Sequence, residues 1–123
     1  MKVLLIGLIF SFAQAPATIV KNNGEQIVLS EVLFYQTGES GSSEKIIYSY
    51  RGSNSSISLK QVKRISFKET VKRKKGIVTY KVILVKNNND KLEVEVDMVR
   101  LEGKNKNGKS VSMNCSSIDK VSF

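Results

Sequence analysis

Past residue 17 the chain reads as a succession of short apolar and polar alternations. Leu92, Val94 and Val96 alternate with Glu93, Glu95 and Asp97, the pattern of a strand with one buried face. Val, Ile, Tyr, Phe and Thr dominate the other segments, as strands require. Polar clusters break them and predict turns at Asn22-Asn23-Gly24, Gly52-Ser53-Asn54, Asn87-Asn88-Asn89 and Asn105-Lys106-Asn107-Gly108. Ile27 to Tyr35 is apolar on both faces except at Ser30 and Glu31, so a bulge there would swap the inward face. No stretch keeps a 3.6-residue period long enough for a helix, and the expected fold class is all-β.

The alternating segments recur. Val20 to Ile27 reads VKNNGEQI and Val85 to Leu92 reads VKNNNDKL, an offset of 65. Val62 to Phe67 reads VKRISF and Ile118 to Phe123 reads IDKVSF, an offset of 56. These landmarks divide the chain into a first β repeat over 18–73 and a shorter second one over 77–123. The nine residues missing from the second fall around the Gly/Ser-rich loop at Thr37 to Glu44, where length varies most cheaply. Between the repeats, Lys74-Lys75-Gly76 suits a three-residue hairpin loop. The expected register sets Phe67 against Ile83, Glu69 against Lys81 and Val71 against Thr79. A unit of some 50 residues buries little surface alone, so the two small barrel-like units are expected to pack together.

The first segment has a different pattern. Lys2 precedes the apolar run Val3 to Phe12, and the small residues Ser11, Ala13, Ala15 and Ala17 follow. This is the order of a secretory signal peptide, expected over 1–13 with cleavage before Gln14, or as late as residue 17. The run is too short to span a bilayer, which takes about 20 apolar residues, and no later segment is long enough either. The expectation is an exported protein, periplasmic or extracellular, that does not span the membrane. The single Cys115 excludes an internal disulfide. Val111, Met113 and Cys115 alternate onto one strand face, which favours a buried thiol over an intermolecular bridge. Asn54-Ser55-Ser56 and Asn114-Cys115-Ser116 match the glycosylation sequon, a pattern that chance supplies often in so Ser- and Asn-rich a chain.

Composition removes most chemistry. With no His there is no Ser-His-Asp or Cys-His arrangement, and one Cys does not make a usual zinc site. No glycine-rich loop precedes a helix. Glu93, Glu95 and Asp97 carry oxygen ligands, but alternate side chains on one strand lie about 6.6 Å apart, wide for one ion. No catalytic residue, metal or cofactor is expected. The charge is more informative. The chain carries +9, and Lys60 to Lys75 alone holds eight bases against one acid, Glu69. Alternation sets Arg64, Lys68 and Lys72 on one face with Ser66 and Thr70, while Arg73, Lys74 and Lys75 add charge towards the tip. Such a ridge can meet the phosphates of lipopolysaccharide, an anionic membrane surface or nucleic acid. Lysines on an exposed strand also discourage edge-to-edge pairing. Tyr48 and Tyr50 share a strand face and could stack on sugars or unpaired bases. Ile46 shares that face too and draws it towards a core.

The polar NG-type turn and the closing I-x-x-I-S-F-like strand give a family likeness. Over Thr18 to Phe123 the chain resembles exported bacterial proteins built from tandem small β-barrel units of Sm-like strand pattern. The resemblance implies a binding or scaffolding module of the cell envelope, whose partner is a protein or another envelope component. The alternative expectation is a polyanion-binding protein working through Lys60 to Lys75.

Overall fold

The structure, a computed structural model, describes residues 16–36, 42–74 and 77–123. The segment expected to be a signal peptide, most of the loop at Thr37 to Glu44, and Lys75-Gly76 of the expected hairpin turn lie outside the described residues. The strands are β1 (Ala17–Lys21), β2 (Gln26–Gln36), β3 (Ser42–Ser43), β4 (Lys45–Tyr50), β5 (Ser53–Ser58), β6 (Val62–Lys74), β7 (Ile77–Lys86), β8 (Lys91–Lys104), β9 (Ser110–Asn114) and β10 (Ile118–Ser122). Short 3-10 turns, Leu59–Gln61 and Cys115–Ser117, precede β6 and β10. The all-β expectation holds. No α-helix occurs among the described residues, and none of their helical segments is long and apolar enough to cross a membrane.

Six strands run antiparallel in the order β2-β1-β10-β6-β7-β8, and β2 pairs with β8 to close a barrel. Strands from both sequence segments contribute, so the described residues form one closed barrel where the sequence suggested a barrel-like unit in each. The physical reason is reach. Neither segment closes on itself, because β1 and β7 each pair with the last strand of the other segment. The β4–β5 hairpin and β9 extend the sheet from β8, and β3 from β2. Ile19, Leu29, Phe34, Ile65, Leu84, Met98, Leu101 and Val121 fill the interior.

Pairing recurs at the two offsets read from the sequence. Thr18, Ile19, Val20 and Lys21 face Ser122, Val121, Lys120 and Ile118. Ile83, Leu84, Val85 and Lys86 face Ser66, Ile65, Arg64 and Val62, with the irregularity at the same place. Ile65 and Val121 face each other. The doubled VKNN landmark has a physical role. Asn22 N and Nδ2 donate to the carbonyls of Ser117 and Ser116, while Asn87 N and Nδ2 donate to those of Gln61 and Lys60. Each turn thus caps the 3-10 turn of the other segment. Asn23 and Asn88 accept from the backbone N–H two residues on, and the left-handed position is filled by Gly24 (φ 89°) or Asn89 (φ 73°).

The swap of faces in β2 is present. Its register shifts between Ser30 and Leu33, Glu31 takes φ 53°, and burial passes from Leu29 to Val32, Phe34 and Gln36. The β6–β7 register needs correction. Glu69 does face Lys81, but Phe67 faces Val82 and Lys72 faces Thr79. Bulges between Phe67 and Glu69, and between Thr70 and Lys72, each insert one residue. The hairpin turn at 51 also falls earlier than expected: β5 already begins at Ser53.

Candidate functional site

Gln36 fixes the element that walls the site. It is 5% exposed at the end of β2, and its amide imitates a strand. Nε2 donates to the Ile47 carbonyl and Oε1 accepts from the Ile47 N–H, both at 2.8 Å. β4 is thereby pinned beside β8, where Ser49 faces Glu95. The β4–β5 hairpin turns in two residues, between the facing pair Tyr50 and Ser53. Arg51 (φ 52°) and Gly52 (φ 83°) are both left-handed. Such a turn favours Asn-Gly, and a left-handed Arg costs about 1–2 kcal/mol. The Arg51 guanidinium lies 5.1 Å from the centre of the Tyr50 ring, a cation–π contact that offsets part of that cost.

Two depressions flank this hairpin on the outer face of β7 and β8. One, of about 580 Å³, is lined by Ser49, Tyr50, Arg51, Lys81, Lys91, Glu93 and Glu95. The other, of about 300 Å³, is lined by Gln36, Tyr48, Ser49, Asn54, Lys72, Thr79, Glu95 and Asp97. They adjoin at Ser49 and Glu95, which line both, and make up a two-part trough. Cross-strand rows supply its floor, because facing residues share one side of a sheet. Glu69, Lys81 and Glu95 form one row, with Lys81 Nζ 3.4 Å from Glu69 Oε1. Lys72, Thr79 and Asp97 form the next, where Thr79 Oγ1 donates to Asp97 Oδ1 at 2.5 Å. Among the described residues Arg51, Lys91, Glu93 and Glu95 enter no ion pair.

The trough gathers only part of what the sequence singled out. Tyr48, Tyr50 and Lys72 line it. Tyr48 is half-buried against the core, while Tyr50 is 38% exposed. Arg64, Lys68 and Arg73 do not line either depression. Arg64 is half-buried on β6, Lys68 sits at a bulge, and Arg73 faces Val78 near the hairpin tip. Thr70 faces buried Tyr80, so it does not share the Lys72 side of the strand. The backbone of Lys74 faces Ile77, and Lys75 lies outside the described residues. β10 covers β6 only over Arg64 to Ser66, so the edge from Phe67 onward pairs only with β7 among the described strands. Lys68, Lys72 and Arg73 are exposed along it.

Glu93, Glu95 and Asp97 line the trough together with cations, and the described residues contain no group of three or more metal-ligating side chains. Cys115 is buried, and desolvation pushes its thiol up to about 12. The nearby Tyr80 hydroxyl is raised too, first by burial and then by Cys115. Sequence reasoning missed Arg51, Lys81 and Lys91. The one local signal was an Arg standing where a two-residue turn asks for Asn. No family model, curated protein or solved structure matches this chain.

Proposed function

We propose that this chain is an exported, non-enzymatic binding module of the cell envelope, built from two diverged copies of one β unit that share a barrel. The paired registers at offsets of 65 and 56 support the doubled unit, as does the reciprocal capping by Asn22 and Asn87. The observation that carries the binding role is the trough beside the β4–β5 hairpin. The barrel interior is occupied by side chains, so a ligand meets the protein from outside, and there aromatic, cationic and carboxylate groups converge. The test is co-sedimentation of the purified protein with isolated envelope fractions: cell-wall polymer, outer-membrane vesicles and soluble envelope proteins captured on beads. Retention on one fraction, reduced by Tyr50→Ala, is expected. Failure to bind any fraction would remove this function.

The free edge of β6 favours a second reading, contact with a polyanion. Lys68, Lys72 and Arg73 lie exposed along a strand edge with no neighbour among the described residues. Binding of heparin or lipopolysaccharide that weakens steeply with added salt would support it, since phosphate and sulfate contacts release counterions. Binding that is flat with salt would exclude it.

A further inference from the structure

We infer that the trough takes a neutral, polyhydroxylated ligand, a glycan segment; this rests on the binding-module reading above. The charge balance comes first. Four cations, Arg51, Lys72, Lys81 and Lys91, line the trough with three carboxylates, Glu93, Glu95 and Asp97, and Glu69, paired with Lys81 beside it, supplies a fourth. Opposite signs alternate at the spacing of neighbouring strands, so no field of one sign builds up to draw in a polyanion or a basic peptide. What the trough offers is donors and acceptors side by side. Sugar hydroxyls are both donor and acceptor, and pair with ammonium and carboxylate groups alike. The exposed Tyr50 adds an apolar face on which a pyranose ring's C–H face can lie.

The fold itself supplies an independent control. Val85↔Lys91 and Ile83↔Glu93 correspond in register to Val20↔Gln26 and Thr18↔Val28. The corresponding positions of the β1–β2 pair therefore carry Gln26 and Val28, both exposed. A barrel of this pairing does not need charges there, so Lys91 and Glu93 are not explained by folding. Nor is Arg51, which stands at a left-handed position that its side chain disfavours. Together these departures fall in one depression, of a size that suits a small ligand.

The experiment titrates purified protein with three neutral tetrasaccharides: α-linked glucose, β-linked glucose and β-linked N-acetylglucosamine. Backbone amide shifts are followed by NMR. The expected result is saturable binding of at least one of them. Shifts should concentrate at Tyr50 to Gly52 and Lys91 to Glu95, and affinity should not change with salt. Tyr50→Ala and Glu93→Gln should each lower affinity about tenfold, and Val28→Glu, at the corresponding position of the β1–β2 pair and outside the trough, should leave it unchanged. Absence of shifts in the trough at about 10 mM of every sugar would overturn the inference, as would shifts confined elsewhere. So would displacement of a bound sugar by a heparin fragment in a salt-dependent manner. If the protein still sediments with an envelope fraction while these sugars leave the trough untouched, the glycan falls and the binding module stands.

Discussion

Gln36→Leu tests whether one side chain holds the β4–β5 hairpin in place. Leucine keeps the volume and removes both hydrogen bonds to Ile47. Each such bond contributes about 0.5–1.5 kcal/mol net, and each backbone group left without a partner costs about 1–3 kcal/mol where water cannot reach it. The Ile47 side chain is at the margin of exposure, so water relieves part of that penalty. Burying an apolar side chain at the end of β2 returns some stability as well. The balance is a loss of about 2–3 kcal/mol. In a domain of this size that lowers the melting temperature by roughly 10–20 °C. Gln36→Glu separates the bonds from the packing. A carboxylate still accepts from the Ile47 N–H but opposes the Ile47 carbonyl, whereas a protonated carboxyl donates to it as the amide does. Burial and that carbonyl raise the folded pKa above an unfolded value of about 4.3. The stabilising contribution is therefore fully present below the unfolded pKa and is lost as pH rises through the folded one. Thermal melts of the three proteins across the acid range read this directly, with hydrogen exchange of the β4 and β5 amides alongside. A Gln36→Leu protein that melts within a degree or two of wild type would refute the pinning role. So would a Gln36→Glu protein whose deficit relative to wild type does not change with pH.

Gly103 sits in the β2–β8 seam, where an added Cβ would lie 3.0 Å from both Leu29 Cβ and the Ser30 carbonyl. Gly103→Ala should cost about 1–3 kcal/mol in overpacking, offset by about 0.5–1 kcal/mol for replacing glycine in a strand, and urea unfolding measures the difference. The Cys115 thiol should resist thiol reagents at neutral pH until the protein is unfolded; rapid native labelling would contradict its burial. Its folded pKa, near 12 against an ordinary 9.0, implies stability fully present below 9.0 and lost as pH rises towards 12, and Cys115→Ala should flatten that alkaline loss. Replacing Lys68, Lys72 and Arg73 with Ser should raise self-association, seen by analytical ultracentrifugation, because bulges and cations guard an edge left unpaired among the described strands; unchanged association would show that the bulges suffice. Mass spectrometry of the exported protein should find a new N-terminus between Gln14 and Thr18, and an intact Met1 would remove the export proposal.

Alternation and turn chemistry determined the strands. Each depends on a few consecutive residues, and those were legible: the half-buried β8, the face swap at Ser30-Glu31, the Asn-rich turns and the Glu69–Lys81 pair. The doubled VKNN segments were legible as a repeat, but not as reciprocal caps, because their partners lie some 30 to 90 residues away. The bulges in β6 were not legible. Whether a strand accommodates an extra residue depends on what its neighbour buries, and here Phe67 pairs with buried Val82 and packs against the core, while exposed Thr70 pairs with Tyr80. Closure of one barrel through β2 and β8 was likewise beyond local pattern, because Ser30 meets Lys104 only once every intervening strand has found its register. The trough has the same origin. Tyr50, Lys81 and Glu93 come from three strands of unremarkable sequence, and Gln36 has to hold β4 against Ile47 before they share a depression. Composition could exclude His-dependent chemistry from this chain, because a missing His is missing everywhere. It could not place a binding face, because a face is made by residues that only long-range pairing brings side by side.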